Sequence, residues 1–398
     1  MDLTISTEET IEVEEHYLLP TYKKMPIALV RGEGSYVWDA EGNRYLDFYG
    51  GHCVTPLGHR PPRVVEALKS QADTLLFYSN VLYSPVRARA AGLLADFAPE
   101  GLKHVYFCNS GTEANETALK LARKYTGKPV VVAMEGSFHG RTLGSLAATW
   151  GEKFRAPYKS VLPETIFAPF GDADALQAIF AERDDVAAVI IEPIQSMAGI
   201  RTAPDEYFRS LRAICDQHGV VLIFDEIQTG LGRTGTFSIS EQLGMKPDMI
   251  TLAKGLGSGI PVGAVLVSDE ITKDVQYGDQ GNTFGGGMLA MSAVAATLAT
   301  IRDENVMSRP PVLFERIASG LKSYIRNIRG RGCLIGLELE SEAGPVVTAL
   351  RKHGVLTGGS ADPYVIRLMP PLNLSDEEAD TFIETFRKVT ESEPSLKN

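Results

Sequence analysis

The chain has 398 residues, 44% of them hydrophobic, with 39 Lys plus Arg against 50 Asp plus Glu, a formal charge of −11. An acidic chain without a basic block is a poor binder of nucleic acid and of anionic membrane surfaces. No run approaches the roughly 18 apolar residues of a membrane span. Taken in chain order, residues 1–17 are acidic and lack an apolar core, so no secretory leader is expected. From about residue 103 to 268, short runs rich in Val and Ile alternate with amphipathic stretches. The runs 104–107, 129–133, 186–191, 220–224, 249–252 and 263–267 read as strands buried on both faces. Ala114, Ala118, Leu121, Ala122 and Tyr125 fall on one helical face, and 204–218 reads as a second helix. Residues 288–301 read as a buried helix, 332–340 and 365–368 as strands, and Ser375-x-x-Glu378 as the capping box of a terminal helix. This alternation predicts an α/β fold with a mainly parallel sheet flanked by helices. The expected division is a large domain over 51–300 and a small α+β domain over 301–398, with residues 1–50 packing on the small one.

Cys53, Cys108, Cys215 and Cys333 are far apart with no CxxC spacing, which argues against a disulfide framework or a metal site and for a reducing cytoplasm. Asn109-Ser110-Gly111-Thr112-Glu113 follows a strand and opens a helix. Backbone N–H groups at such a start suit a phosphate, and Ser110 with Glu113 could equally form a capping box; the two readings are compatible. Gly230-x-Gly232-x-x-Gly235 spells a dinucleotide fingerprint, but it lacks the strand directly before it and the helix after it. Stronger signals sit at strand ends: Glu192 after 186–191, Asp225 after 220–224, and Lys254 after 249–252, with glycines following the lysine. Ligands of open α/β sheets lie outside the carboxyl ends of strands, so these groups could converge with Ser110, Gly111 and Thr112. A phosphate cup, a lone carboxylate and a glycine-flanked lysine fit pyridoxal 5′-phosphate. The lysine forms a Schiff base with its aldehyde, and the carboxylate keeps the ring nitrogen protonated.

At these residues the chain resembles the class III (ω-type) aminotransferases, fold type I pyridoxal-phosphate enzymes, and most of all their acetylornithine/ornithine branch. The resemblance runs from Leu19-Pro20-Thr21-Tyr22 to Arg367-Leu368-Met369-Pro370. It includes Ser137-Phe138-His139-Gly140-Arg141-Thr142, Glu192-Pro193-Ile194-Gln195, Asp225-Glu226-Ile227-Gln228 and Thr283-Phe284-Gly285-Gly286. It implies that Lys254 is the catalytic lysine, that Asp225 pairs with the pyridine nitrogen, and that Gln228 bonds near the phenolic oxygen. Phe138 and Ile227 would sandwich the ring, while Gly111 and Thr112 hold the phosphate. Thr283 resembles the phosphate ligand that a neighbouring subunit supplies, which implies a homodimer with shared sites. Arg141, helped by Tyr22, resembles one substrate-carboxylate clamp and Arg367 the second. Guanidinium suits carboxylate because its donors match two oxygens at once.

The implied activity is transfer of an amino group from an ω-amino donor such as acetylornithine or ornithine to 2-oxoglutarate, through a pyridoxamine phosphate form of the cofactor. The runner-up is an aminotransferase of the same fold using alanine-like or β-amino donors with pyruvate or glyoxylate; a decarboxylase or aminomutase stands behind it. Two departures bear on that choice. The branch reads EPIQGE, whose final Glu masks the second arginine, whereas this chain has Ser196-Met197, and Met197 cannot neutralise Arg367. Asn282 stands before Thr283 where the branch has a serine, a position expected near the substrate.

Overall fold

The computed structural model describes residues 5–392. Seven strands form the central sheet in the spatial order His104–Cys108, Gly263–Val267, Met249–Leu252, Val221–Asp225, Val186–Ile191, Val130–Met134, Thr165–Ala168. Every neighbouring pair is parallel except those made by Gly263–Val267, which runs antiparallel to both its neighbours. The central strands are buried along their whole length, and side chains alternate between two apolar layers, as a period of two requires. Val130, Val132, Val189, Ile191, Leu222 and Phe224 face a layer closed by the helix Met288–Asp303 and its neighbours. Val131, Ala133, Ala188, Ile190, Val221 and Ile223 face the other, where Ala114, Ala118, Leu121 and Ala122 of the helix Gly111–Thr126 cover them.

Thr165–Ala168 has no counterpart among the predicted strands. It is four residues at the sheet edge and only partly buried, so it carries little apolar signal. The acidic start also hides a helix, Thr7–Tyr17, opened by a reciprocal capping box between Ser6 and Glu9. None of its residues is buried. The terminal capping box forms as expected, with Ser375 N donating to Glu378 and Glu378 N to Ser375 Oγ, ahead of Asp376–Ser392.

A second apolar cluster lies apart from the large sheet. It joins Leu46, Phe48 and Leu57 to Leu313, Ile335, Leu337, Ile366, Leu368, Phe382 and Phe386. Phe48 stacks on Phe382 at 4.1 Å between ring centres. Early and late segments also share a sheet: Arg44–Asp47 pairs in parallel with Val355–Leu356. Asn327–Arg331, Leu334–Glu338 and Val365–Leu368 form a separate antiparallel sheet. The glycine run at 230–235 belongs to the packing between these regions. Arg233 is buried and donates to the carbonyls of Cys333 and Pro370. Gly232 and Gly235 abut Met307 and Pro311, which leaves no room for a dinucleotide.

Candidate active site

The carboxyl ends of the central strands open into a cavity of about 410 Å³ lined by Ser110, Gly111, Thr112, Phe138, Glu192, Asp225, Ile227, Gln228 and Lys254, among others. The fold thus brings together nine of the ten residues proposed to meet the cofactor. The helix Gly111–Thr126 starts at the cavity, with Ser110 Oγ accepting from Glu113 N at 3.3 Å. The expected box is not reciprocal, because the Glu113 carboxylate instead takes the backbone and side-chain N–H groups of Asn109. A side chain at Gly111 would sit 2.6 Å from Ile227 Cδ1, so only glycine lets the helix start approach Ile227 this closely.

Asp225 is held by a buried network. Its Oδ2 accepts from Asn115 Nδ2 and from His139 Nδ1, each at 2.8 Å, and its Oδ1 accepts from Ile227 N at 3.1 Å. Asn115 also donates to the His139 carbonyl at 2.7 Å and accepts from Thr251 Oγ1 at 2.7 Å. Helix, loop and two strand ends are tied to one carboxylate, which is fixed before any ligand arrives. Sequence reasoning passed over His139 and Asn115. The signal was present, since Asn115 lies one helical turn after Gly111 and His139 sits inside a motif already singled out.

Lys254 sits in a strained backbone conformation, at a φ of +30°. Such strain persists only where surrounding structure over-determines it. Burial pulls its amine below the usual range, a shift that Cys53, Asp225 and Glu192 oppose. The neutral amine, the nucleophilic form, is therefore more populated than on an exposed lysine. Glu192 accepts from Phe138 N at 2.8 Å. Burial, then the charge of Asp225, pushes its carboxyl well above the usual range, so it holds a proton more readily. Gln228, which lines the cavity, carries a buried amide oxygen with no partner among the described residues, and a polar ligand would satisfy it.

The substrate candidates are dispersed. Arg367 is 2% exposed, and its Nη1 lies 3.1 Å from Ser196 Oγ and 3.3 Å from Met197 Sδ, while Nε donates to the Gly359 carbonyl at 2.6 Å. It has no carboxylate partner among the described residues. Beside it, Tyr49 hydrogen-bonds His52, whose imidazole is lowered to about 3 by burial and by the charges of Arg367 and Lys254. This pair was also missed. Arg141 lies in an outer pocket with Thr21, Lys153 and Tyr158. Its guanidinium is 5.9 Å from the Phe138 ring centre and 5.3 Å from that of Phe154. Tyr22 and Thr283 are exposed and do not line the cavity that holds Lys254. Asn282 was expected to face substrate, but its amide is engaged by its own chain. Nδ2 donates to Tyr106 Oη at 2.7 Å and to the Phe107 carbonyl at 3.1 Å, and Oδ1 accepts from Gly285 N.

A helix start free to take a phosphate, a fixed buried carboxylate, an unsatisfied amide and a buried lysine fit pyridoxal phosphate part by part. When bound, that cofactor supplies an electron sink for the carbon beside the reacting amine. Around it, Asp225 would hold the ring-nitrogen proton, Lys254 would be the group placed to move a proton at the reacting carbon, and Phe138 and Ile227 would shield the ring faces from water.

Comparison with known proteins gives the same answer. The class III aminotransferase family model matches residues 17–390. An acetylornithine aminotransferase of Methanopyrus kandleri is 45% identical over 373 residues, covering 93% of this chain and 95% of that one. Another from Methanocaldococcus jannaschii is 40% identical, covering 97% and 98%. An ornithine aminotransferase from Toxoplasma gondii superposes with a TM-score of 0.91 at 30% identity, covering 98% of this chain and 97% of that one. A second structure of the Toxoplasma enzyme, TM-score 0.90 at 29% identity over 98% and 96% of the two chains, is described with pyridoxal phosphate partly occupying its active site. From the family match, the relatives and the cavity, the chain belongs to the class III aminotransferases, with fold type I architecture and pyridoxal 5′-phosphate as its cofactor.

Proposed function

We propose that this enzyme moves an amino group from the terminal amine of an acetylornithine- or ornithine-like donor to 2-oxoglutarate. The reading is supported by two arginines that could each take a carboxylate, Arg141 lining an outer pocket and Arg367 buried within the chain. Arg367 is the observation that carries it. A buried guanidinium without a counter-ion is costly, and a substrate carboxylate is the anion that satisfies it during turnover. Held by Arg367, the carboxylate of glutamate or 2-oxoglutarate directs its α-position toward Lys254. Held by Arg141, a longer donor presents its far amine instead.

Met197 favours a broader donor range. Its thioether is a weak acceptor and leaves the Arg367 charge uncompensated. A donor's own α-carboxylate then competes for Arg367, which brings its α-amine to the reacting position. Simple α-amino donors of alanine type are therefore expected to react alongside ω-amino donors. Met197→Glu supplies an internal counter-ion and lowers kcat/KM for α-amino donors relative to ω-amino donors by about ten- to a hundredfold, the worth of one charge-assisted hydrogen bond of roughly 1.5–3 kcal/mol. A panel of donors with 2-oxoglutarate, pyruvate and glyoxylate, run on both proteins, measures the ratio. An unchanged ratio makes residue 197 a packing position only.

The enzyme is further proposed to work as a homodimer with Thr283 reaching the partner's phosphate cup. The exposed apolar side chains of Leu75, Leu76, Val81, Leu82 and Phe284 support a covered face. Residues 51–300 are taken as the cofactor-binding domain and 301–398, joined by 1–50, as the small domain, in keeping with the second apolar cluster. No described helix is long and apolar enough to cross a membrane, and four free, buried cysteines accord with a cytoplasmic setting.

A further inference from the structure

We propose that Asn282 and Tyr106 form a latch that sets the position of Thr283 for the partner's site, so that Asn282 acts on the cofactor of the neighbouring subunit and not on a substrate of its own. The inference rests on the shared-site reading above. One short loop, residues 281–287, precedes the buried helix Met288–Asp303. Both N–H directions of the Asn282 amide are taken, one by Tyr106 Oη and one by the Phe107 carbonyl, and its oxygen receives Gly285 N. Nothing polar is left on that side chain to read a substrate, apart from one lone pair.

The rest of the loop is fastened as firmly. Asn80 Nδ2 donates to the Gly285 carbonyl at 2.9 Å, and Arg87 Nε donates to the Gly286 carbonyl at 2.9 Å. Gly285 lies so close to the Phe107 carbonyl and the Asn282 amide that a side chain there would overlap them. Gly286 sits at a φ of +75°, where a side chain would be strained. The outward face is the opposite. Thr283 is exposed and forms no hydrogen bond among the described residues. Phe284 is 66% exposed, with its ring against Phe77 at 5.1 Å between ring centres. A loop tied down through Asn282, Gly285 and Gly286 while Thr283 and Phe284 stay exposed is organised for something outside the chain.

The tie has two ends, and this gives the proposal its test. The strand His104–Cys108, which carries Tyr106 and Phe107, runs directly into Ser110 and Gly111 of the same chain's own phosphate cup. Losing Asn282 could therefore disturb the cofactor in cis, through that strand, or in trans, through Thr283. The latch acts in trans. Holding a threonine hydroxyl at one phosphate oxygen requires the loop to be fixed before binding, and preorganisation of that kind appears in affinity rather than in fold.

The experiment uses full-length chains carrying two different affinity tags, so that mixed dimers are isolated after subunit exchange. Pyridoxal phosphate still attached after gel filtration is fixed by borohydride and mapped on Lys254 by mass spectrometry. Asn282→Ala homodimers are expected to retain cofactor about tenfold more weakly than the parent, with the cofactor-free protein still folded. In a mixed dimer with a Lys254→Ala chain, the only remaining Lys254 belongs to the Asn282→Ala chain, while its Thr283 loop comes from the partner, where the latch is intact. Label on that Lys254 should return to the parent level. Tyr106→Phe, which deletes one hydroxyl, should show the same pattern at about threefold.

Thr283→Ala mixed with Lys254→Ala is the control for the shared site. Label restored with Thr283→Ala but not with Asn282→Ala or Tyr106→Phe overturns the latch and leaves the shared site standing. Restoration with neither, in dimers proven to be mixed, overturns the shared site and the latch with it. Unweakened retention by the Asn282→Ala and Tyr106→Phe homodimers overturns the latch outright.

Discussion

Lys254→Ala lowers transamination by at least about 10⁴-fold while the protein remains folded. A positioned general base contributes roughly 10²–10⁴-fold, and this side chain is assigned the covalent attachment of the cofactor as well. No neighbour can take over. The lysine is buried and held at a strained backbone position. The other basic groups nearby are unsuited: Arg367 is a permanently charged guanidinium, His52, at about 3, is too weak a base near neutral pH to take the proton, and His139 is buried with its Nδ1 committed to Asp225. Steady-state rates with the cofactor in excess, alongside a thermal midpoint for each cofactor-free protein, separate lost chemistry from lost structure. A residual rate within about a hundredfold of the parent would assign the proton transfer to another group.

Asp225→Asn is the second large effect, expected to reduce kcat by roughly 10²- to 10⁴-fold. Removing one charge from a buried pair costs about 3–5 kcal/mol, and each 1.4 kcal/mol is tenfold in rate. The substitution is nearly isosteric, but the network penalises it in both orientations. With its NH₂ at the Oδ2 position, the new amide faces the donors Asn115 Nδ2 and His139 Nδ1. Turned over, it faces Ile227 N. An amide cannot replace the negative charge that keeps the ring nitrogen protonated, so the loss falls on kcat even at saturating cofactor. Activity within about threefold of the parent would remove Asp225 from that role.

The cofactor site was legible because its residues fall in short motifs at the carboxyl ends of apolar runs. Burial on both faces makes those runs continuous and easy to see, as at Val186–Ile191. What stayed hidden depends on contacts across long sequence separations. The His139–Asp225 bond joins positions 86 apart and the Asn115–Asp225 bond positions 110 apart, so neither has a local signature. The strand Thr165–Ala168 is short and at an edge, and the antiparallel sense of Gly263–Val267 follows from connectivity that hydropathy does not encode. Asn282 was placed near substrate from its position beside Thr283, whereas its side-chain direction is set by Tyr106, 176 residues away. Met197 was placed beside Arg367 from the motif that holds it, and the 3.3 Å separation is what that placement requires.

The most direct test of the central claim is a half-reaction. Cofactor-loaded enzyme is mixed with an amino donor and no acceptor, and the carbonyl product, the state of the cofactor and any carbon dioxide are measured together. A transaminase releases one equivalent of carbonyl product per site and stops, with the amino group left on the cofactor. Adding 2-oxoglutarate then restores the starting form and yields one equivalent of glutamate. Carbon dioxide evolution, an isomerised amino acid, or product formation that continues past one equivalent without an acceptor would contradict the account.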